Sequence, residues 1–399
     1  MSQKVVVTGF GIISALGTNV DENFNSLKAG DSGVKKSKYL KSEYSNTKVC
    51  GEVNLSNEQL RKEIGYTAND INCRTTLLGL HAVSEAVNSS NLENSHLKGA
   101  MFMNGTSVGG MVLTEQYFKE YKEGKPGDYK DIFKSHDCGY STEIIANKFN
   151  ICGGTVTIST ACSSSANTIM QGARYINAGR TDVVIAGGTD ALSKFTINGF
   201  NSLKILDDNP CKPFDINRKG LNLGEAAAYL VLESEDHARS RGANIIGEVI
   251  GYGNANDAHH QTASSPEGNG AKLAMSKALK MAENIDIDYI NAHGTGTENN
   301  DSSESAAIEG IFGENVPNFS TTKAYTGHTL GAAGAVEAVI SLLSIKNDLI
   351  FPCLRIEEPL LIGSSKPIVE LTSHVVNTVL SNSLGFGGNC TTLIFNKLR

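Results

Sequence analysis

The sequence predicts an α/β fold, because short β-branched and apolar runs alternate with helical patterns along the whole chain. Three stretches carry that prediction. Residues 155–174, TVTISTACSSSANTIMQGAR, read as strand, tight turn and helix. Residues 289–292 read as a strand that ends at His293, and residues 331–346 as a long apolar helix. Chemistry-bearing residues fall at the strand ends, where such folds place ligands.

The elements follow in order. The opening run, KVVVTGFGIISALG, predicts a strand over 4–7 and a turn at Gly9 and Gly11. It resembles a secretory signal in having one lysine, apolar residues and small residues. Thr8, Gly9, Gly11 and Ser14 interrupt it, which favours a buried first strand. A helix over 19–29 stops at Gly30. Leu77, Leu78, Leu80, Ala82, Val83, Ala86 and Val87 make a wide helical face over 74–87. A strand over 100–103 runs into NGTSVGG. The polar stretch 114–130, with Gly124, Pro126 and Gly127, is read as helix and loop over an entrance. A short helix over 142–149 precedes the Cys162 strand and helix; Gly179 ends that helix, and a strand follows over 182–186. Residues 198–218 show little periodicity and read as loop. A strand over 226–232 precedes a second half that begins near 245–251. This half holds helices over 270–283 and 302–311, a strand end over 320–324, the helix over 331–346 and a hairpin of 375–381 with 391–395. The two halves share a rough strand-helix order, which divides the chain into 1–245 and 246–399.

Composition narrows the function. The chain has 399 residues, 40% apolar and 19% charged, enough for a large core. Its formal charge of -7 and the lack of a basic cluster with interleaved aromatics argue against nucleic-acid binding. No uninterrupted apolar segment approaches the ~18 residues of a membrane span, so no membrane association is expected. The eight cysteines form no close CxxC pair, which argues against structural zinc and for a reducing, cytoplasmic home. No cofactor is expected and no metal is assigned.

Cys162 is the most informative residue. A thiol at a strand-to-helix junction faces backbone N–H groups and the positive end of a helix dipole, which favours thiolate. His293, in NAHGTGTENND, and His328, in TKAYTGHTLGAAGAVEA, sit at glycine-rich junctions. One cysteine and two histidines on separate turns form a pattern for covalent chemistry on an acyl group. Cys50, Cys73, Cys152, Cys211, Cys353 and Cys390 are read as small buried core residues.

TACSSS, NAHGTGT, TKAYTGHTLGAAGAVEA and NSLGFGGN, in this order and spacing, closely resemble the β-ketoacyl-acyl-carrier-protein synthases. The type it most resembles is the elongating condensing enzymes of type II fatty acid and polyketide synthesis. The resemblance covers nearly the whole chain. It implies a thiolase-like five-layer αβαβα core of two similar halves, a homodimer, and an acyl carrier protein as partner. It implies decarboxylative condensation of malonyl-carrier with an acyl group on Cys162, lengthening the chain by two carbons.

The resemblance also distributes roles. Cys162 matches the nucleophile, and the oxyanion hole falls on the backbone N–H groups of Cys162 and Phe386. His293 and His328 match the paired histidines that hold the enolate. Lys323, five residues before His328, matches a lysine that orients the network. Thr295 and Thr297 match hydroxyls that bind the phosphopantetheine arm; Phe386, between Gly385 and Gly387, resembles a gate. Val108 lies where the family often has an aliphatic residue bordering the acyl pocket, or else is a packed valine at a strand end. Asp257 and His260 resemble a secondary pair tied to the decarboxylation site. Glu337 joins a buried monovalent cation site in the family, or else pairs with the Lys323 region.

Departures concern specificity rather than chemistry. ACSSS looks more like polyketide enzymes, HGTGTENND lacks the usual proline, GLNLGEAAAYLVLE carries alanines for glycines, and GFNSLKILDDNP is short. Basic residues for carrier docking are sparse around 69–74; Arg74, Lys204 and Arg218 are the candidates. Two alternatives stay open: a silent partner resembling a chain-length factor, and a Cys-His hydrolase or coenzyme-A thiolase. A silent partner typically lacks the nucleophile, a hydrolase would use one histidine with an orienting acid, and a thiolase needs a second cysteine, for which Cys390 is placed.

Overall fold

The computed structural model describes residues 3–65, 73–127 and 129–398. Ten strands form one mixed sheet. They are β1 (Val5–Ile13), β2 (Met101–Gly105), β3 (Thr155–Ile158), β4 (Val183–Asp190), β5 (Ala226–Ser234), β6 (Gly247–Asn256), β7 (Tyr289–Asn291), β8 (Asn318–Ser320), β9 (Thr378–Leu384) and β10 (Asn389–Asn396). The order across the sheet is β8-β7-β9-β10-β6-β1-β5-β4-β2-β3.

That order contains a repeat. In one half β3, β2 and β4 are parallel neighbours, and β5 and β1 add antiparallel. In the other, β8, β7 and β9 are parallel, and β10 and β6 add antiparallel. The halves join where Val6 and Val7 of β1 pair with Glu248 and Gly247 of β6.

The main helices are α1 (Val20–Ala29), α2 (Arg74–Ser90), α3 (Met111–Lys122), α4 (Cys138–Lys148), α5 (Ser164–Asn177), α6 (Lys194–Ser202), α7 (Asn269–Met281), α8 (Glu298–Phe312), α9 (Lys323–Thr326) and α10 (Ala333–Asn347). α5 and α10 pack against each other and against strands of both halves. α2 covers the outer face of β1, β4 and β5, and α7 covers β6 and β10, with α8 beside it. The result is five layers, α2, sheet, α5 with α10, sheet, and α7 with α8. Residues 330–347 are apolar and long enough to cross a membrane, with mean hydropathy 1.3, but 89% of the segment lies buried at the centre. The sequence reading, which found no such segment, missed it because Ser341, Ser344 and Glu337 break the apolar run.

Local signals behave as their chemistry dictates. Asn19 caps α1 by accepting from Glu22 N, and Gly30 at φ 75 stops it. Three expectations fail for packing reasons. Gly9 and Gly11 make no turn; β1 runs through them, because a Cβ there would fall 2.6 Å from Ala86 O or 2.2 Å from Ala82 O of α2. Small residues let the helix lie on the strand. The supposed loop over 198–218 begins inside α6, whose N-terminus is capped by Ser193 and held by the Glu115 carboxylate of α3 at Lys194 N and Phe195 N. The stretch after Ser320 is not strand: Lys323 begins the four-residue helix α9.

Candidate active site

Cys162 sits between β3 and α5, one residue after Ala161, which adopts φ 52. This left-handed residue turns the chain sharply, and Ser164 N and Oγ both donate to Ala161 O to close the turn. The thiol therefore lies at the start of α5. It is 5% exposed, and burial pushes it up to about 11, while Lys323 and the Phe386 N–H pull it back. The sequence expectation of a resting thiolate is thus corrected. Burial of a charge in this turn works against the helix-dipole stabilisation that the sequence suggests.

His293 follows β7. The two oxygens of Glu304, from α8, accept from His293 N and Gly294 N at 2.8 Å each, which fixes the turn. Its Nδ1 lies 3.1 Å from Lys323 Nζ, and Nζ also donates to His293 O at 2.6 Å. An ammonium can only donate, so Nδ1 accepts and the ring proton sits on Nε2. His328 follows α9 and is pinned through its backbone: its N donates to Asn222 O at 2.7 Å and its O accepts from Gly224 N at 2.8 Å. The two rings meet edge to face, 5.3 Å apart at 86°. Burial, then Lys323, holds both imidazoles well below their usual range, so both are neutral at physiological pH.

Lys323 and Glu337 form a buried ion pair behind His293. Burial raises Glu337 to about 7, and Lys323 pulls it back down. Asn291 Nδ2 donates to Glu337 O, and the Ser383 hydroxyl lies close to the Glu337 carboxyl, while Glu337 Oε2 and Asn291 Oδ1 are buried with no regular hydrogen-bond partner among the described residues. Free oxygens of this kind fit the ligand set of a monovalent cation, for which Glu337 would be one ligand.

Cys162, His293 and His328 line one cavity of about 710 Å³, together with Thr295, Thr297, Asp257, His260, Phe386 and Cys390. The two threonine hydroxyls are 2.9 Å apart, and Thr297 also caps α8 at Asn300 N. Phe386 lies in a tight segment held by Gly387 N donating to Gln261 O and Asn256 Nδ2 donating to Gly387 O. Its ring stacks on Phe200 of α6, 5.4 Å apart at 14°.

Several expected residues lie elsewhere or act otherwise. Val108 does not line the cavity; it packs in a satellite apolar cluster with Leu192, Ile197, Phe200, Leu223 and Leu330. Asp257 and His260 share the cavity but are not a bonded pair. Asp257 accepts from Ser265 N, Ser265 Oγ and Gly270 N, and His260 Nδ1 accepts from Thr262 N and Ala263 N. Arg74 cannot dock a carrier: it is buried, and its guanidinium is spent on Glu225, Val53 O, Leu55 O and Asn57. Residues 69–72 lie outside the described residues. Lys204 is exposed at the cavity mouth, while Arg218 is turned inward to Thr297 O, Glu298 O and Ser302. Cys152 is exposed rather than core.

The sequence reading missed Phe200 and Glu304 and gave Asp301 no role. Asp301 accepts from Gly296 N and Phe214 N and holds the HGTGT turn. Its spacing after that turn was visible; the partners, distant in sequence, were not.

Three comparisons bear on the family. The model of the β-ketoacyl synthase N-terminal domain matches residues 2–238, and that of the C-terminal domain matches residues 246–357. The 3-oxoacyl-[acyl-carrier-protein] synthase 2 of Staphylococcus aureus (strain COL) is 32% identical over 416 residues, covering 99% of each chain. The ishigamide ketosynthase/chain length factor superposes with a TM-score of 0.94 at 31% identity, covering 100% of both chains. A type II PKS acyl-carrier protein in complex with its ketosynthase bound to the hexaketide, AntDE:AntF, gives 0.85 at 26% identity, also covering 100% of both.

Proposed function

The chain belongs to the β-ketoacyl synthase family, and we propose that it is an elongating 3-oxoacyl-[acyl-carrier-protein] synthase of fatty acid or related type II polyketide or polyene synthesis. The observation that carries this reading is the convergence of Cys162, His293 and His328, from three separate turns, on one cavity.

The first half-reaction is thioester exchange. The Cys162 sulfur attacks the acyl thioester of the carrier, a new carbon–sulfur bond forms, and the carrier sulfur leaves with the thiol proton. The resting thiol is protonated, so a neutral imidazole beside it relays that proton. The N–H groups of Cys162 and Phe386 hold the oxygen that gains charge.

In the second half-reaction malonyl-carrier loses its carboxylate as carbon dioxide, and the electron pair moves onto the thioester oxygen as an enolate. His293, with its proton on Nε2, donates to that oxygen, and His328 is the second donor. The carbanion attacks the acyl carbonyl, a carbon–carbon bond forms, and the Cys162 sulfur leaves as thiolate and takes up a proton from solvent, which restores the resting thiol. Lys323 keeps Nδ1 of His293 an acceptor and so acts as a positioning residue. Thr295 and Thr297 bind the pantetheine arm, and Phe386, stacked on Phe200, gates the passage from that cavity to a separate acyl pocket within the apolar cluster that holds Phe200, Leu330 and, at its rim, Val108.

The partners are an acyl carrier protein and a second copy of the chain, the division into two halves falls at 245/246, and the setting is cytoplasmic. The full-length likeness to the ishigamide ketosynthase/chain length factor supports a specialised route. A silent partner role is disfavoured by the retained Cys162 and paired histidines. Incubation with acyl-carrier thioesters of several lengths, followed by peptide mass spectrometry, tests the reading. One acyl mass should appear on the Cys162 peptide and leave as β-ketoacyl-carrier when malonyl-carrier is added. An adduct on another residue, or one that malonyl-carrier does not discharge, overturns it.

A further inference from the structure

Asp190 is fully buried at the end of β4, and none of the proposed steps uses it. No lysine or arginine pairs with it among the described residues. Four donors from two distant segments converge on its carboxylate instead. Oδ1 accepts from Thr106 Oγ1 at 2.5 Å and Val108 N at 3.3 Å; Oδ2 accepts from Ser107 N at 2.8 Å and Gly331 N at 2.7 Å. Thr106 Oγ1 in turn accepts from Gly109 N at 3.1 Å. A buried carboxylate with two acceptor oxygens is the side chain that can satisfy so many N–H and O–H groups at once.

The two segments belong to different parts of the reaction. Residues 106–109 follow β2 and carry Val108. Gly331 lies three residues after His328, and between them Leu330, at φ 53, packs in the same apolar cluster as Val108. The approach is tight: a Cβ on Gly331 would lie 2.7 Å from Asp190 Oδ2 and 2.7 Å from Ser107 N. Glycine is required at 331 by that contact, not by its φ.

We infer that Asp190 is a positioning residue that clasps the rim of the acyl pocket to the turn carrying His328. It touches no reacting atom. It fixes the distance between the wall that the acyl chain meets and the imidazole that holds the enolate, so one carboxylate sets the alignment of both half-reactions. This rests on the condensing-enzyme reading above.

The test is Asp190→Asn. Asparagine keeps one acceptor but presents an NH₂ to the two N–H groups of Ser107 and Gly331, so donor faces donor. Malonyl-carrier decarboxylation should fall roughly 10- to 100-fold in kcat, the scale of an ångström's misplacement, with KM within about twofold because the threonine turn is held separately by Asp301. The ratio of long- to short-chain acylation at Cys162 should shift in the same variant. Thr106→Val, which frees only the rim, should shift the acylation ratio with a smaller effect on decarboxylation. Gly331→Ala should produce both effects without changing charge, and it decides the matter if D190N does not fold. A folded D190N or G331A with wild-type decarboxylation and wild-type acyl preference overturns the clasp. So does a fall in both activities that merely tracks the fraction folded. Wild-type protein that neither acylates nor decarboxylates would fault the condensing-enzyme reading instead.

Discussion

The two halves of the sheet repeat one strand order and differ in what they hang on it. In the first half the turn after β3 carries Cys162 and leads into α5; in the second the corresponding turn after β8 carries Lys323 and His328 and leads into α10. The turn after β2 carries Thr106, tied to Asp190, whereas the turn after β7 carries His293, tied to Glu304. The connection from β4 to β5 is long and contains α6, whereas β9 joins β10 through the tight GFGG segment. One half thus offers a sulfur at a helix start and the other offers neutral ring donors. The scaffold sets where groups meet, and the turns set which half accepts the acyl group and which holds the enolate.

Removing the sulfur should break this division most severely. Cys162→Ala should abolish acyl transfer and condensation, by roughly 10⁴-fold or more, as loss of a nucleophile does. Malonyl-carrier decarboxylation should survive, because the second half is intact. Carbon dioxide release measured beside acyl-enzyme formation separates the two, and acylation without Cys162 would dissolve the assignment.

The opposite lesion comes next. His293→Ala and His328→Ala should each depress decarboxylation by roughly 10²- to 10³-fold, the usual cost of one donor to a developing oxyanion. Acylation should suffer less. Equal losses in both half-reactions would mean that the histidines serve the sulfur as much as the enolate.

A third test asks what holds the donors. Lys323→Met leaves Glu337 buried without its ammonium and should cost about 3–5 kcal/mol of stability, read by denaturant unfolding. Lys323→Met with Glu337→Gln should recover much of that stability but not decarboxylation, because Nδ1 of His293 loses its donor. Recovery of both would make Lys323 a structural ion only.

Alkylation of Cys162 sharpens the contrast between dipole and burial. The thiol is pushed up to about 11, so the iodoacetamide rate should climb steadily from neutral pH towards that value. The folded value lies above the ordinary thiol value of 9.0, so the folded state holds its proton more tightly. This contribution to stability is complete below pH 9 and is lost as pH rises through 9 to about 11. A rate that levels off near neutrality would restore the thiolate reading and show that the start of α5 outweighs desolvation.

Much of this was legible in the chain itself. TACSSS, NAHGTGT and TKAYTGHT each mark a small-residue junction with a reactive side chain, so the junctions could be read from short-range patterns, although Asn222 and Gly224 hold the His328 turn from far along the chain. Asn19 and Gly30 marked α1 for the same reason. What stayed hidden depends on partners far along the chain. Gly9 and Gly11 look like a turn until α2 lies on them, and Asp257 looks like a partner of His260 until Ser265 and Gly270 claim it. Arg74 looks like a surface cation until Glu225, 151 residues away, closes on it. The Cys162 proton depends on burial, which no local pattern reports.

Cys390 provides the mildest test. It lies at the start of β10, lines the same cavity as Cys162, and belongs to the half that supplies no sulfur to the proposed steps. A thiolase-like reaction would need it. Yet burial, with Asp257 and Glu304 adding to it, raises it to about 12, while Sγ donates weakly to Gly388 O at 3.4 Å. Among the described residues no cation pulls it down, whereas Lys323 pulls on Cys162. A serine keeps the donor and nearly the same shape, so Cys390→Ser should leave condensation within about twofold and stability within ~1 kcal/mol. A collapse of condensation in that variant, with acylation of Cys162 intact, would move the second half from holding an enolate to supplying a second sulfur.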